Sequence, residues 1–195
     1  HIAFVSDRGG QNNLWVMEAN GSNPRAVFQD PDVRVFEPAW TPDGQYILAR
    51  RRAFTGQRES GIWMYHRDGG EGVQLIGPEV AGASWPSASA DGRYMYFHMS
   101  TPGQEVYHIA RNPLQGAYNI RRLELASGKI TAVTSGEPSR QYRRSSGGAY
   151  GGEVSPDGRW LAFGRRIPDG TITYKGHEFG PRTALWLRDL HTGAE

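Results

Sequence analysis

Apolar residues in this chain come in short runs bounded by Gly, Pro, Asp and Asn, not in long amphipathic stretches. No segment keeps an i, i+3, i+4, i+7 apolar pattern over several turns without a Gly or Pro interrupting it, so no helix is predicted. Leu14-Trp-Val-Met17, Ile62-Trp-Met-Tyr65, Ile120-Arg-Arg-Leu-Glu-Leu125 and Leu185-Trp-Leu-Arg-Asp-Leu190 read instead as strands rich in aromatic and branched side chains. Each runs into a turn signal, at Asn20-Gly21, Asp68-Gly69, Ser127-Gly128 or Thr192-Gly193. Short further strands are expected at Arg25–Phe28, Val73–Ile76 and Lys129–Val133.

A second recurring unit precedes these. Glu37–Ala49, Ser84–Phe97 and Gly152–Phe163 each hold a short strand, an Asp-Gly turn and an apolar strand. At Asp43-Gly44, Asp91-Gly92 and Asp157-Gly158, Asp bonds its own backbone while Gly takes positive φ cheaply. Pro42 and Pro156 pre-set φ just before the turn, where no ladder N–H is needed; Ala90 stands at the matching place in the middle unit. Four strands per unit with hairpins at fixed places predict an all-β chain, a β-propeller of four-stranded antiparallel blades.

Phasing the repeat aligns His1–Val5 with Tyr46–Arg50, the second strand of a blade. The expected blades are 1–35 (partial), 36–83, 84–150 and 151–195 (partial). Sheets of this kind bury their faces against neighbours. Further blades are therefore expected outside this segment, in a ring of roughly six or more.

Composition narrows the functional classes. The 26 Gly and 12 Pro suit a turn-rich fold. There is no Cys, which excludes disulfides, thiolate catalysis and zinc–thiolate sites. No apolar run approaches the length of a membrane span. Net charge is only +2, too weak an excess to predict nucleic-acid binding. Of the 22 basic residues, Lys129 and Lys175 are the only lysines.

The Asp-Gly turns are all tight, so the blade face they occupy is plain. The intervals Gly92–Arg121 and Gly158–Trp186, and the connection Ser135–Tyr150, are longer and fall on the opposite face. Inserted loops gathered on one face mark a docking surface. That face also collects arginine: Arg50, Arg51 and Arg52 at a strand end, Arg165 and Arg166 at the matching place in the last blade, and Arg140, Arg143 and Arg144 in the connection. Such a cluster is a candidate site for a carboxylate-bearing ligand or an acidic partner. The plainer reading is solvated or ion-paired edges, with Asp7, Glu59 and Glu153 as counter-charges.

Other candidates are weaker. His177-Glu178 is read as part of an inserted loop, and a metal there needs further ligands that no His-x-His or His-Glu-x-x-His spacing supplies. Ser84 lacks the closing glycine of a nucleophile elbow. Asp43, Asp91 and Asp157 are turn residues before they are acids for chemistry. The Trp15, Trp63 and Trp186 column suits packing between sheets better than sugar stacking. Asn20-Gly-Ser22 fits the glycosylation sequon, but the hairpin explains it better. No catalytic residue is assigned.

At Ile2–Gly10, Leu14–Met17, Asn20–Pro24, Trp40–Gly44 and Val154–Gly158 the chain resembles the TolB-type propeller repeat. The block Gly176–Leu190 looks most like the N-terminal propellers of large bacterial amidohydrolases. The resemblance implies a non-catalytic propeller segment that braces or gates the catalytic domain of a larger hydrolase, preferably a metal-dependent amidohydrolase. It implies no cofactor in this segment, a divalent, zinc-like metal in the catalytic domain, and a periplasmic or exported bacterial location. Expected partners are that domain, further blades or another protein. Alternatives are a prolyl-oligopeptidase-like peptidase and a TolB-like protein-binding propeller without catalysis. Fold similarity alone does not separate these.

Overall fold

The computed structural model describes all residues except 55–59, 81, 101–107, 110–111, 114–117 and 136–148; for residues 100, 108–109, 112–113, 118, 166–174 and 177–182 it describes the backbone alone. Every α-helix signal is absent among the described residues, and all regular elements are strands. The first sheet has three strands, β1 (Ile2–Ser6), β2 (Asn13–Met17) and β3 (Arg25–Phe28). The second has four, β4 (Val33–Trp40), β5 (Tyr46–Ala53), β6 (Gly61–His66) and β7 (Val73–Ile76). β8 (Ser84–Ala88), β9 (Tyr94–Ser100), β12 (Tyr118–Glu124) and β13 (Ile130–Ala132) form the third. β10 (His108–Ile109) and β11 (Asn112–Pro113) make a small hairpin within the long interval of that blade. β14 (Ala149–Val154), β15 (Trp160–Tyr174) and β16 (His177–Asp189) make up the last sheet.

Neighbouring strands in each blade run antiparallel, in sequence order apart from the inserted hairpin. One expectation needs correcting. The interval around His177 is not an inserted loop; β15 and β16 continue as one long hairpin that pairs as far as Tyr174 with His177, turning at Lys175-Gly176. Thr171, Ile172 and Thr173 are β-formers, so the ladder extends where length alone suggested a loop.

Packing follows the two-residue period of a strand. On β5, Ile47 and Ala49 point into a cluster with Leu14, Val16, Phe28 and Val35, joining the first two sheets. Leu48, between them, points the other way, into a cluster with Met95, Phe97 and Leu123 that joins sheets two and three. On β9, Tyr96 turns from its neighbours to meet Leu161 and Phe163 of the last sheet. Each inter-blade seam is therefore written into alternate residues of the same strand.

The three Asp-Gly turns are built alike. The hydroxyls of Thr41, Ser89 and Ser155 donate to Oδ1 of Asp43, Asp91 and Asp157, and the N–H groups of Gln45, Arg93 and Arg159 donate to the same oxygens at 3.0 Å. Gly44, Gly92 and Gly158 follow with φ of 65°, 70° and 73°, a region that favours glycine. These bonds favour the ionised carboxylate, the hydroxyl bond most and the N–H bond next, and hold all three below the ordinary carboxylate range. With a folded pKa below the unfolded one, the stabilisation is complete above the ordinary value and disappears as pH falls through the lowered one. Asp91→Ala is expected to lower the thermal midpoint near about pH 7 and to lower it less in acid, as read by circular dichroism melts.

Candidate functional site

The innermost strands β4, β8 and β14 each carry an irregularity at the same place. The ladder slips between Phe36 and Ala39, between Ser84 and Ser87, and between Tyr150 and Gly152. At these bulges Glu37, Trp85 and Gly151 all take φ of 56–57°. For Glu37 and Trp85 that left-handed conformation costs on the order of 1 kcal/mol or more, and the surrounding hydrogen bonds offset it. Trp85 N–H donates to Glu37 Oε2 at 2.7 Å, from one blade to the next, and Gly151 N–H donates to His98 Nδ1 at 3.0 Å.

The bulges enclose a hollow of about 480 Å³ where the three inner strands converge. Trp85, 53% exposed, stands in it beside Glu37, Tyr150, Glu153 and Leu185. Burial lifts the Glu37 carboxyl above its ordinary value, outweighing the Trp85 N–H and the Arg50 guanidinium 3.9 Å away. Partial desolvation raises Glu153 as well. The hollow is thus apolar walls with two carboxyls that hold protons more tightly than free ones do.

Ser84 of β8 and His98 of β9, both buried, meet at 2.6 Å, a distance that invites comparison with a nucleophile and its base. The hydrogen bonds forbid that role. Gly151 N–H can only donate, so Nδ1 is the acceptor and the imidazole proton sits on Nε2, directed at Ser84 Oγ. The serine proton goes to the Gly82 carbonyl at 3.0 Å. Both side chains are buried, and the pair ties β8, β9 and β14 together. Burial first, and the Arg50 charge second, push the His98 pKa down to about 4.

The sequence-selected arginines divide by environment. Arg50, Arg51 and Arg52 line a second hollow, of about 430 Å³, between blades two and three. Arg51 is 4% exposed and runs into the first inter-blade seam, stacked between Phe28 and Trp63 at 4.6 and 4.4 Å, with Asp30 at 3.7 Å. Arg165 repeats the arrangement over Trp186 at 4.6 Å, paired with Glu195 at 2.6 Å. Arg8 lies over Trp15 at 5.2 Å. The tryptophan column is accordingly a set of packing platforms, each tiled by an arginine. Arg140, Arg143 and Arg144 lie outside the described residues, as do the side chains of Arg166 and His177. Among the described residues no three His, Cys, Asp or Glu side chains group as metal ligands. Sequence reasoning missed Glu37, Trp85 and Tyr150, whose place on the inner strands was visible while the bulges beside them were not, and it missed His98 on β9.

Against known proteins, no family model matches the chain. It is 26% identical over 184 residues to the uncharacterized peptidase YuxL of Bacillus subtilis, covering 91% of this chain and 22% of that protein. The chain therefore spans about a fifth of that relative's length. TolB of Acinetobacter baumannii superposes with a TM-score of 0.52 at 17% identity, over 92% of this chain and 47% of that one. The fold is that of a TolB-type propeller. A puromycin-hydrolyzing peptidase of Mycobacterium tuberculosis shares it, with a TM-score of 0.57 at 12% identity over 93% of this chain and 24% of that one.

His98 gives this propeller a defined acid response. Its folded pKa lies near 4 against an ordinary 6.5, so the unfolded chain binds a proton in that window that the folded chain refuses. Stability is expected to fall as pH drops from 6.5 towards 4. Glu37 and Glu153, with raised pKa, act in the opposite sense. Urea midpoints across this range should show a shallower decline for His98→Gln than for the parent; parallel curves would assign the loss elsewhere.

Proposed function

We propose that this chain is a non-catalytic propeller segment of a larger hydrolase, where it braces or gates a separate catalytic domain. The alignment with the Bacillus peptidase carries the reading, because it takes in 91% of this chain yet only 22% of the relative. Most of that relative lies beyond the matched stretch. The axial hollow supports a gating role, since strained inner-strand bulges present Trp85 and two carboxyls to whatever passes.

For the catalytic chemistry, the peptidase relative favours a peptidase over the metal-dependent amidohydrolase that the Gly176–Leu190 block suggests. Under the amidohydrolase reading a divalent, zinc-like metal belongs to the catalytic domain. Under both readings the segment's partners are that domain and further blades, and the location is periplasmic or exported. Among the described residues no helix is long and apolar enough to cross a membrane. A second reading, a protein-binding propeller without catalysis, draws on the TolB superposition.

The full-length gene product, offered short peptide anilides, separates these. Hydrolysis that survives chelation, together with labelling by a fluorophosphonate probe, is the expected result. Activity lost on chelation and no labelling would return the amidohydrolase. No hydrolysis of peptides or cyclic amides would overturn the hydrolase reading and leave the binding protein.

A further inference from the structure

We propose that the hollow between blades two and three binds an organic ligand carrying two carboxylates, of the kind a short acidic peptide presents. This holds whether or not the parent is a hydrolase. The starting point is alternation on β5. Arg51 points into the first seam, so Arg50 and Arg52, one residue to either side, point to the opposite face, towards the third blade. Register places Arg34 of β4 across from Arg52, and Phe36 across from Arg50. Three cations thus share one corner of the second blade.

Like charges on adjacent strands repel and ordinarily acquire carboxylates. Arg51 and Arg165 have done so, with Asp30 and Glu195. Arg34 and Arg52 have no ion pair among the described residues, and Arg50 has only Glu37, at 3.9 Å. Aromatic rings hold two of them instead: the Arg50 guanidinium lies 5.6 Å from the Phe36 centroid, and that of Arg34 lies 4.7 Å from Phe54. Stacking occupies the face of a guanidinium and leaves its rim of N–H donors available. Gln11 accepts one of these, from Arg34 Nε at 3.4 Å. Glu37 pairs with Arg50 alone, so Arg34 and Arg52 have no carboxylate partner among the described residues.

The cavity gives those donors a ligand-sized space. At about 430 Å³ the main hollow has the volume of a small-molecule site. A smaller hollow of about 210 Å³ shares Arg52 and has Arg34 on its wall. Phe54, Pro78, Val80 and Ala83 supply carbon surface, which suits the body of an organic acid more than bare phosphate. Gly61 on the wall is held to glycine by the neighbouring strand, since a Cβ there would lie 1.9 Å from the Ile76 carbonyl oxygen. Glu79 holds its carboxylate against Gly77, a residue of the hollow's wall.

The test is an anisotropy titration of the full-length protein with fluorescein-labelled tetraglutamate at low salt. Saturable binding is expected, weakened about tenfold by Arg52→Gln and further by Arg34→Gln with Arg52→Gln, as loss of a charge-assisted bond requires. Arg52→Lys, which keeps the charge but not the fork, should fall between. Arg93→Gln, at a remote turn of the third blade, should bind as the parent does, and thermal midpoints check that each variant is folded. Unchanged binding in the double variant, or no saturable binding at all, would overturn the proposal. Displacement by inorganic phosphate as readily as by unlabelled tetraglutamate would overturn the organic ligand.

Discussion

A twisted four-stranded sheet has two faces and cannot cover either with its own side chains, so each blade in this protein is completed by the next. That constraint decides which residues are large and where. Ile47, Leu48 and Ala49 are consecutive, yet they belong to two different cores. Losing one seam would leave two sheets wet. Leu185 and Leu187, at 77% and 52% exposed, show the other side of the rule, since they lie on the face of the last sheet that carries no core cluster among the described residues.

The seams are apolar at their centres and polar where they meet the axis. Trp85 N–H on Glu37, and Gly151 N–H on His98, join blades through single, fully specified bonds at backbone positions that a regular ladder would have paired elsewhere. A bulge frees an N–H and turns a side chain inward at once. The same distortion therefore creates both the inter-blade bond and the lining of the axial hollow, and a change at Glu37 or Trp85 touches packing and site together.

Much of the fold was legible because its signals are local. Asp157 followed by Gly158 announces a turn, and Leu14–Met17 announces a strand, without reference to anything distant. The hairpin of β15 and β16 escaped because Pro168-Asp169-Gly170 and Gly180-Pro181 interrupt the strand pattern, although the ladder resumes beyond them. The site was less legible still. Arg50, Arg51 and Arg52 looked equivalent in sequence, and only the pleat sends the middle side chain into a seam and the outer two to the opposite face. His98 carried no signal at all, since its importance lies in a contact with Gly151, which the sequence places far away.

Eight arginines among the described residues lie against aromatic rings: Arg8, Arg34, Arg50, Arg51, Arg93, Arg122, Arg159 and Arg165. A guanidinium stays charged far into alkali, where an ammonium would have given up its proton. The near absence of lysine thus has a physical consequence. A fold tiled with guanidinium contacts keeps those contacts in mild alkali, while in acid the turn carboxylates and one buried imidazole change state.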